Sequence, residues 1–206
     1  MIPTREDCLR LMFRYGMLEH IMDHSIEVAR VALVLSSELN RKGEKIDLAL
    51  VEAAALLHDL TKTECLRTKA DHALTGSRLL REIGYERVGQ VIGEHIRISN
   101  KTDSFRISEE EVVNYADKRV RHDRIVSLEE RFEDLKRRYG KGQRALELLE
   151  ELREVTLKIE RRIFSVLGIE PDLLERLLPE TEDGHGRDSG ECYVLSSDVK
   201  REKDFK

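Results

Sequence analysis

Apolar residues recur at helical spacing along nearly the whole sequence. Between Glu19 and Asn40, for example, Ile21, Val28 and Leu35 follow one another at intervals of seven residues and therefore share a helical face. No stretch shows the convincing alternation of apolar and polar residues that is typical of a half-buried strand. The pattern predicts an all-α fold.

Capping residues and glycines mark where the helices begin and end. Ser108 is followed by Glu111 in the pattern of an N-terminal capping box, and Gly43 stands just past the predicted end of the second helix. Residues 61–69 and 97–107 are polar and predict loops. The predicted helices cover about residues 4–16, 19–40, 47–59, 71–83 and 88–95, a segment that begins at 108, and residues 127–140, 143–167 and 171–178.

Composition narrows the class of protein. The 206 residues, of which 40% are hydrophobic and 37% charged, are enough for one sizeable core with solvated surfaces. The formal net charge of −5 argues against a general nucleic-acid coating role, and no apolar run has the length of a membrane span. Cys8, Cys65 and Cys192 are far apart and predict neither a disulfide framework nor a cysteine zinc site. We expect a cytoplasmic protein without nucleic-acid or membrane partners.

The pattern changes twice along the chain. Residues 127–179 form charged helices with one apolar face, which predicts packing on the preceding bundle or on a partner in a homodimer. Residues 180–206 combine glycine, serine and charge without periodicity, so we expect a mostly disordered tail. The chain therefore divides into residues 1–126, a helical extension and a tail.

Six residues that can bind metal ions lie within apolar stripes or at their ends: His24, His58, Asp59, His72, His95 and Asp117. A buried polar group costs several kcal/mol unless a partner satisfies it. One inward histidine is more often a hydrogen-bonded core residue than a ligand, but six such residues on five helices favour a shared metal centre. Imidazole and carboxylate groups bind Fe, Mn, Co, Ni or Zn, and the missing cysteine ligands argue against a structural zinc site.

The order of these residues resembles a known family. An upstream His, an adjacent His-Asp pair and a distant Asp on a helical bundle form the pattern of the HD-domain superfamily of metal-dependent phosphohydrolases. His24, His58-Asp59 and Asp117 match that pattern, and the resemblance covers roughly residues 20–125. It implies an HD helical bundle in the first domain, with additional C-terminal helices.

Within the superfamily the sequence is most similar to the bacterial branch that includes symmetrical dinucleoside tetraphosphate hydrolases. Lys62 follows the His-Asp pair as it does in that branch. His72 and Gly76 have the branch's His-x-x-x-Gly spacing, and Arg124 lies seven residues after Asp117. After the fifth helix and after the last Asp, this sequence differs from the pattern of the branch, and the difference leaves the substrate undetermined.

The resemblance implies a function and a set of roles. The activity would be hydrolysis of a phosphoester or phosphoanhydride bond, in a nucleotide or a related small phosphorylated substrate, by metal-activated hydroxide. One or two divalent ions would bind, with Fe or Mn expected and Mg, Co, Ni or Zn as alternatives. One ion would be held by His24, His58, Asp59 and Asp117. The second ion would be held by His72 and His95, with Asp59 bridging the two ions.

Two cations are candidates for contacts with the substrate. Lys62 lies about one helical turn after His58 and could aim its ammonium group at a phosphate, which would place it with Asp59 in the catalytic set. Arg124 could offer forked donors to the same phosphate. The alternative for both is an ordinary surface charge. His20 and His122 are expected at the surface.

Two other functions fit the same residues. The first is oxidation: a histidine-carboxylate diiron site can also activate oxygen, and some members of the superfamily resemble oxygenases. A nucleotide sensor without catalysis would keep the metal for stability.

Overall fold

The chain folds as an all-α protein, as the pattern predicts. The structure is a computed structural model and describes residues 1–98 and 106–178. A two-stranded antiparallel ribbon, β1 (Val120–Arg121) with β2 (Arg124–Ile125), is the only sheet within these residues. The helices are α1 (Arg5–Arg14), α2 (Glu19–Arg41), α3 (Leu48–Leu57), α4 (Lys62–Thr68), α5 (His72–Glu82), α6 (Glu86–Gly93), α7 (Glu109–Arg119), α8 (Leu128–Tyr139), α9 (Gln143–Leu167) and α10 (Leu174–Leu177).

Helix α2 lies at the centre of the bundle. It packs against α3 and α7, while α5 and α6 pair with each other and α6 contacts α3. The apolar stripe of α2 is removed from water, since Val28, Val31 and Leu35 are fully buried. The neighbouring α3 is buried along most of its length. This core fixes the ends of α3 and α6, from which several polar side chains project.

The predicted capping box forms, and other helix ends are also capped. The Ser108 hydroxyl accepts from the Glu111 backbone at 3.3 Å, and the Glu111 carboxylate accepts from the Ser108 backbone at 3.0 Å, so the capping box of α7 is complete. Ser127 caps α8 through the Glu130 backbone N–H at 3.1 Å. Gly168 ends α9 in the left-handed region with φ +73°, a conformation that glycine adopts without strain.

Two local predictions are wrong. Residues 61–69 were expected to be a loop, but they contain α4, whose Cys65 is buried while most of its other side chains face water. A helix so short and solvated looks polar in the sequence. The ribbon β1–β2 was also not expected, because strands of two residues cannot display alternation. The predicted tail and most of the predicted loop at 97–107 fall outside the described residues.

Helices α8 and α9 pack on the bundle of the same chain. Ile159, Ile163 and Phe164 of α9 are buried, and α9 contacts α7 and α2. The buried Arg119 connects these parts, because its guanidinium donates to the Val126 carbonyl at 2.7 Å and to the Tyr115 hydroxyl at 2.6 Å. The Tyr115 hydroxyl in turn donates to Glu160 of α9 at 2.6 Å, so these contacts hold the ribbon and α9 against α7. No helix among the described residues combines the length and apolarity of a membrane span.

Candidate metal centre

The six predicted ligands converge in space. His24 projects from α2 and Asp117 from α7, His58 and Asp59 directly follow α3, His72 begins α5, and His95 lies two residues past α6. The four imidazole rings form a chain, with centroid distances of 5.4 Å from His24 to His58, 5.0 Å from His58 to His95 and 5.2 Å from His95 to His72. Residues from five separate segments therefore meet in one place.

Three of these imidazoles are held with one nitrogen facing inward. Nδ1 of His58 and of His95 lies 2.7 and 2.6 Å from the backbone carbonyl three residues earlier. Nδ1 of His24 lies 3.0 Å from the carbonyl of His122. A carbonyl only accepts, so each Nδ1 carries a hydrogen, and in the neutral imidazole Nε2 is then the nitrogen available to a metal ion. This arrangement is typical of metal-bound histidines, whose second nitrogen donates to an outer partner.

The ligand atoms form two groups that share Asp59. One group is His24, His58 and Asp59, and the other is Asp59, His72 and His95; within each, the atoms lie no more than 4.8 Å from one another. Asp117 joins the first group, because its Oδ1 lies 3.1 Å from His24 Nε2 and 3.8 Å from His58 Nε2. The arrangement offers places for two cations on either side of one carboxylate.

Two atoms at the centre are poorly satisfied. His58 Nε2 and Asp59 Oδ1 are buried and form no well-aligned hydrogen bond among the described residues, although His72 Nε2 lies 3.1 Å from Asp59 Oδ1. Leaving a buried acceptor unsatisfied costs about 1–3 kcal/mol, and more for a charged group. A divalent cation would satisfy both atoms, and a set of imidazole and carboxylate donors suits such an ion. The residues present therefore fit the metal centre that the sequence predicts.

The charges are arranged for metal binding. Burial would raise the pKa of Asp59, but His58 and Lys62 hold this pKa well below its ordinary value. Burial likewise opposes ionisation of Asp117, whose pKa is lowered by Lys118 and by its contact with His24 Nε2 at 3.1 Å. Burial and the neighbouring His58 lower the pKa of His95 to about 3. At neutral pH the centre thus contains two carboxylates and a neutral imidazole at residue 95.

Each carboxylate is held by a lysine on its outer oxygen. Lys62 donates to Asp59 Oδ2 at 2.6 Å, and Lys118 donates to Asp117 Oδ2 at 2.7 Å and to the His95 carbonyl at 2.9 Å. The Oδ1 atoms are left to face the imidazoles. Lys62 was identified from the sequence, but Lys118 was given no role. The signal for Lys118 was its position directly after a predicted ligand on a buried helix.

A cavity of about 560 Å³ opens beside the ligands. His24, Asp59, His72, His95 and Asp117 lie along its wall, and so do several residues of α8 and α9. Its lining includes residues for which no role in the site was predicted from the sequence.

Arg124 is exposed on β2 and is not among the residues that line the cavity, whereas Arg131 of α8 lies within it, 3.7 Å from Asp117 Oδ1. His20 and His122 are exposed as expected, yet both line the cavity. His122 also has a structural role. It lies in a turn with a positive φ of 58°, and its own backbone carbonyl contacts His24 Nδ1. Nothing in the sequence spacing indicated the contacts of Arg131 or His122.

This helical bundle with a His/Asp cluster at its centre defines a class of metal-binding protein. The chain belongs to the HD domain family, because the model described as "HD domain" matches residues 21–155, which is more than half of its length. The match runs past residue 126, the predicted domain boundary, and includes α8 and part of α9.

Known relatives match parts of the chain. A tRNA (cytidine(56)-2'-O)-methyltransferase of Thermoplasma volcanium is 26% identical over 184 residues, which are 83% of this chain and 50% of that protein. An uncharacterized protein of Methanocaldococcus jannaschii is 25% identical over 60% of this chain and 80% of its own length. A ribonuclease Y of Petrotoga mobilis is 36% identical over 36% of this chain and 14% of that enzyme. The chain thus spans half of the methyltransferase it matches. No solved structure matches.

Proposed function

We propose that this protein is a metal-dependent phosphohydrolase that cleaves a phosphoester or phosphoanhydride bond in a nucleotide or a related small molecule. The observation that carries the proposal is the orientation of the ligands. Three imidazoles donate through Nδ1 to backbone carbonyls and turn Nε2 toward two ionised carboxylates. Membership of the HD domain family supports the same reaction class.

The first task of the protein is to hold the ions. His24, His58, Asp59 and Asp117 would bind one, and Asp59, His72 and His95 a second. Divalent ions bound there supply a Lewis acid that acidifies bound water and offsets the charge of a phosphoryl group. Because the Nδ1 contacts fix the rings before an ion arrives, little ordering is needed at binding.

Lys62 would serve both the centre and the substrate. Its ammonium group contacts Asp59 while the side chain is 30% exposed toward the cavity that it lines. Burial would lower the pKa of Lys62, but Asp59 and Asp117 raise it, so the group stays charged at neutral pH. A charged donor at this point would stabilise a phosphoryl oxygen during the reaction. The predicted substrate contact of Arg124 gains no support from its exposed position, and the proposal does not depend on it.

The substrate class is narrower than phosphate esters in general. The relatives described above include a tRNA methyltransferase and a ribonuclease, and their names connect the matched sequence with nucleotide polymers. They give no particular support to the branch of symmetrical dinucleoside tetraphosphate hydrolases. We therefore propose a nucleotide substrate, and a hydrolysis panel should include nucleoside monophosphates, dinucleoside polyphosphates and a short RNA.

The test combines metal analysis with that panel. Purified protein supplied with Mn²⁺ or Fe²⁺ should bind the metal and release phosphate or nucleotide from a panel member. Asp59→Ala should lower the rate by more than about a hundredfold, because both groups lose a ligand. Asp23→Ala, at an exposed aspartate next to His24, should have no effect. Oxygen uptake without phosphate release, or tight nucleotide binding without turnover, would contradict the proposal.

A further inference from the structure

Helices α8 and α9 form one side of the cavity. Arg131, Leu135 and Tyr139 of α8 lie about one turn apart and all line it, so one face of this helix looks into the cavity. Leu149 and Leu152 of α9 line it beside them. None of these five side chains belongs to the metal-binding groups.

Arg131 is the least firmly held cation of the cavity. Among the described lysines and arginines that line it, Lys62, Lys118 and Arg138 each have an ion pair of 3.0 Å or less. Arg131 has only long ones, 3.7 Å to Asp117 and 3.9 Å to Asp134. Its Nε is buried without a hydrogen-bond partner among the described residues.

A buried guanidinium with unused donors is costly unless an anion completes its contacts. Arg131 is 9% exposed and lies beside the ligand Asp117, so an anion that reached the metal ions would also reach its donors. Phosphate has the oxygen geometry that an arginine fork matches.

Apart from Arg138, the rest of this side is formed by apolar and aromatic side chains. Leu135, Tyr139, Leu149 and Leu152 form a wall, and Leu66 of α4 also lines the cavity; Leu66 and Tyr139 are 55% and 56% exposed. Apolar side chains that face an open cavity next to a polar centre are typical of a small-molecule site. The volume of about 560 Å³ lies within the range of roughly 300–1,000 Å³ for such sites.

We propose that the α8–α9 hairpin binds the substrate in two parts: Arg131 holds the phosphate, and the wall of Leu135, Tyr139, Leu149 and Leu152 holds a flat organic group of nucleoside size. This inference rests on the proposed function and assigns its specificity to the hairpin. The hairpin selects a small nucleotide because the phosphate and the ring must fit the cavity together.

The phosphate part is tested on Mn²⁺-loaded full-length protein. Arg131→Gln should weaken binding of inorganic phosphate, measured by calorimetry, by about tenfold to a hundredfold, while bound metal stays unchanged. Arg131→Lys should recover part of the loss, and circular dichroism confirms folding of both variants. Arg137→Gln, on the same helix but exposed and away from the cavity, is the matched control and should equal wild type. Unchanged phosphate affinity in Arg131→Gln would overturn the assignment, and so would a loss explained entirely by lost metal.

The wall is tested with adenosine monophosphate against inorganic phosphate. Leu149→Ala should weaken adenosine monophosphate binding by about tenfold and leave phosphate binding unchanged. Leu146→Ala, three residues earlier on α9 and outside the cavity lining, should change neither. Equal effects of Leu149→Ala and Leu146→Ala on adenosine monophosphate binding would overturn the role proposed for the wall.

These binding measurements are separate from turnover. If wild type hydrolyses no panel member but Arg131→Gln still loses phosphate, the proposed function fails and the anion site stands. If wild type hydrolyses nucleotides and KM is the same in Arg131→Gln, the anion site fails alone.

Discussion

The two halves of the metal centre differ in how firmly the protein holds their histidines. In the first half, the side chains of His24 and His58 are 8% and 0% exposed, and backbone carbonyls anchor both rings. In the second half His95 is anchored in the same way, but His72 is 23% exposed, and among the described contacts its ring has no carbonyl anchor. A ligand that is ordered beforehand loses less entropy when it binds. We therefore expect the first ion to bind more tightly than the second.

The largest effect should separate the two halves directly. His58→Ala should weaken the tighter Mn²⁺ site by about a hundredfold or more, whereas His72→Ala should weaken only the second site, by about tenfold. Calorimetric metal titration of each variant measures both steps. His20→Ala, at an exposed cavity residue outside both groups, is the control and should match wild type. Equal losses in the tighter site for His58→Ala and His72→Ala would contradict the difference between the halves.

The next effect concerns the lysines that hold the two carboxylates. In metal-free protein, Lys118→Met should lower the free energy of unfolding by about 3 kcal/mol, because the charge of Asp117 stays buried after its main cation is lost. Lys62→Met should cost less, since the Lys62 side chain is 30% exposed and water replaces part of its contact. Urea unfolding in the presence of a chelator measures both values, and a larger loss for Lys62→Met would contradict this ranking.

The smallest effect is proton release on metal binding. Burial would lower the pKa of His58, but Asp59 and Asp117 raise it above its ordinary value, so metal-free protein keeps a proton there to higher pH than a free imidazole does. The raised pKa contributes to the free energy of unfolding of the metal-free protein. This contribution is complete below pH 6.5 and is lost as the pH rises through the pKa of His58 in the folded protein. His95, with its pKa lowered to about 3, is already neutral.

Binding of the first ion should therefore release more protons than binding of the second, to which His95 contributes none. Titrations at pH 7 in buffers of different ionisation enthalpy measure this difference. Equal proton release in the two steps would contradict the assigned charge of His58.

Much of this centre could be predicted from the sequence, because its ligands occupy positions that helical periodicity assigns to the core. His24 on the stripe of α2 and the pair His58-Asp59 at the end of a buried helix are examples. The side chains around the ligands could not be predicted in this way. Arg131 meets Asp117 only because α8 folds back onto α7, and no local periodicity encodes that contact.

The outer partners of the histidines were hidden for a related reason. The carbonyl that holds His24 belongs to a turn 98 residues further along the chain, and a backbone atom has no residue type to recognise. Likewise α4 was taken for a loop because its seven residues are mostly solvated and polar. Sequence patterns thus revealed the residues that must be buried, and chain reversals decided which groups surround them.

The most direct test is an anomalous-difference map from a crystal of the protein grown with Mn²⁺. We expect a peak at coordination distance from Nε2 of His24 and His58 and from a carboxylate oxygen of Asp117, with a weaker peak beside His72 and His95. Anomalous density found only away from these side chains, or none at saturating Mn²⁺, would contradict it.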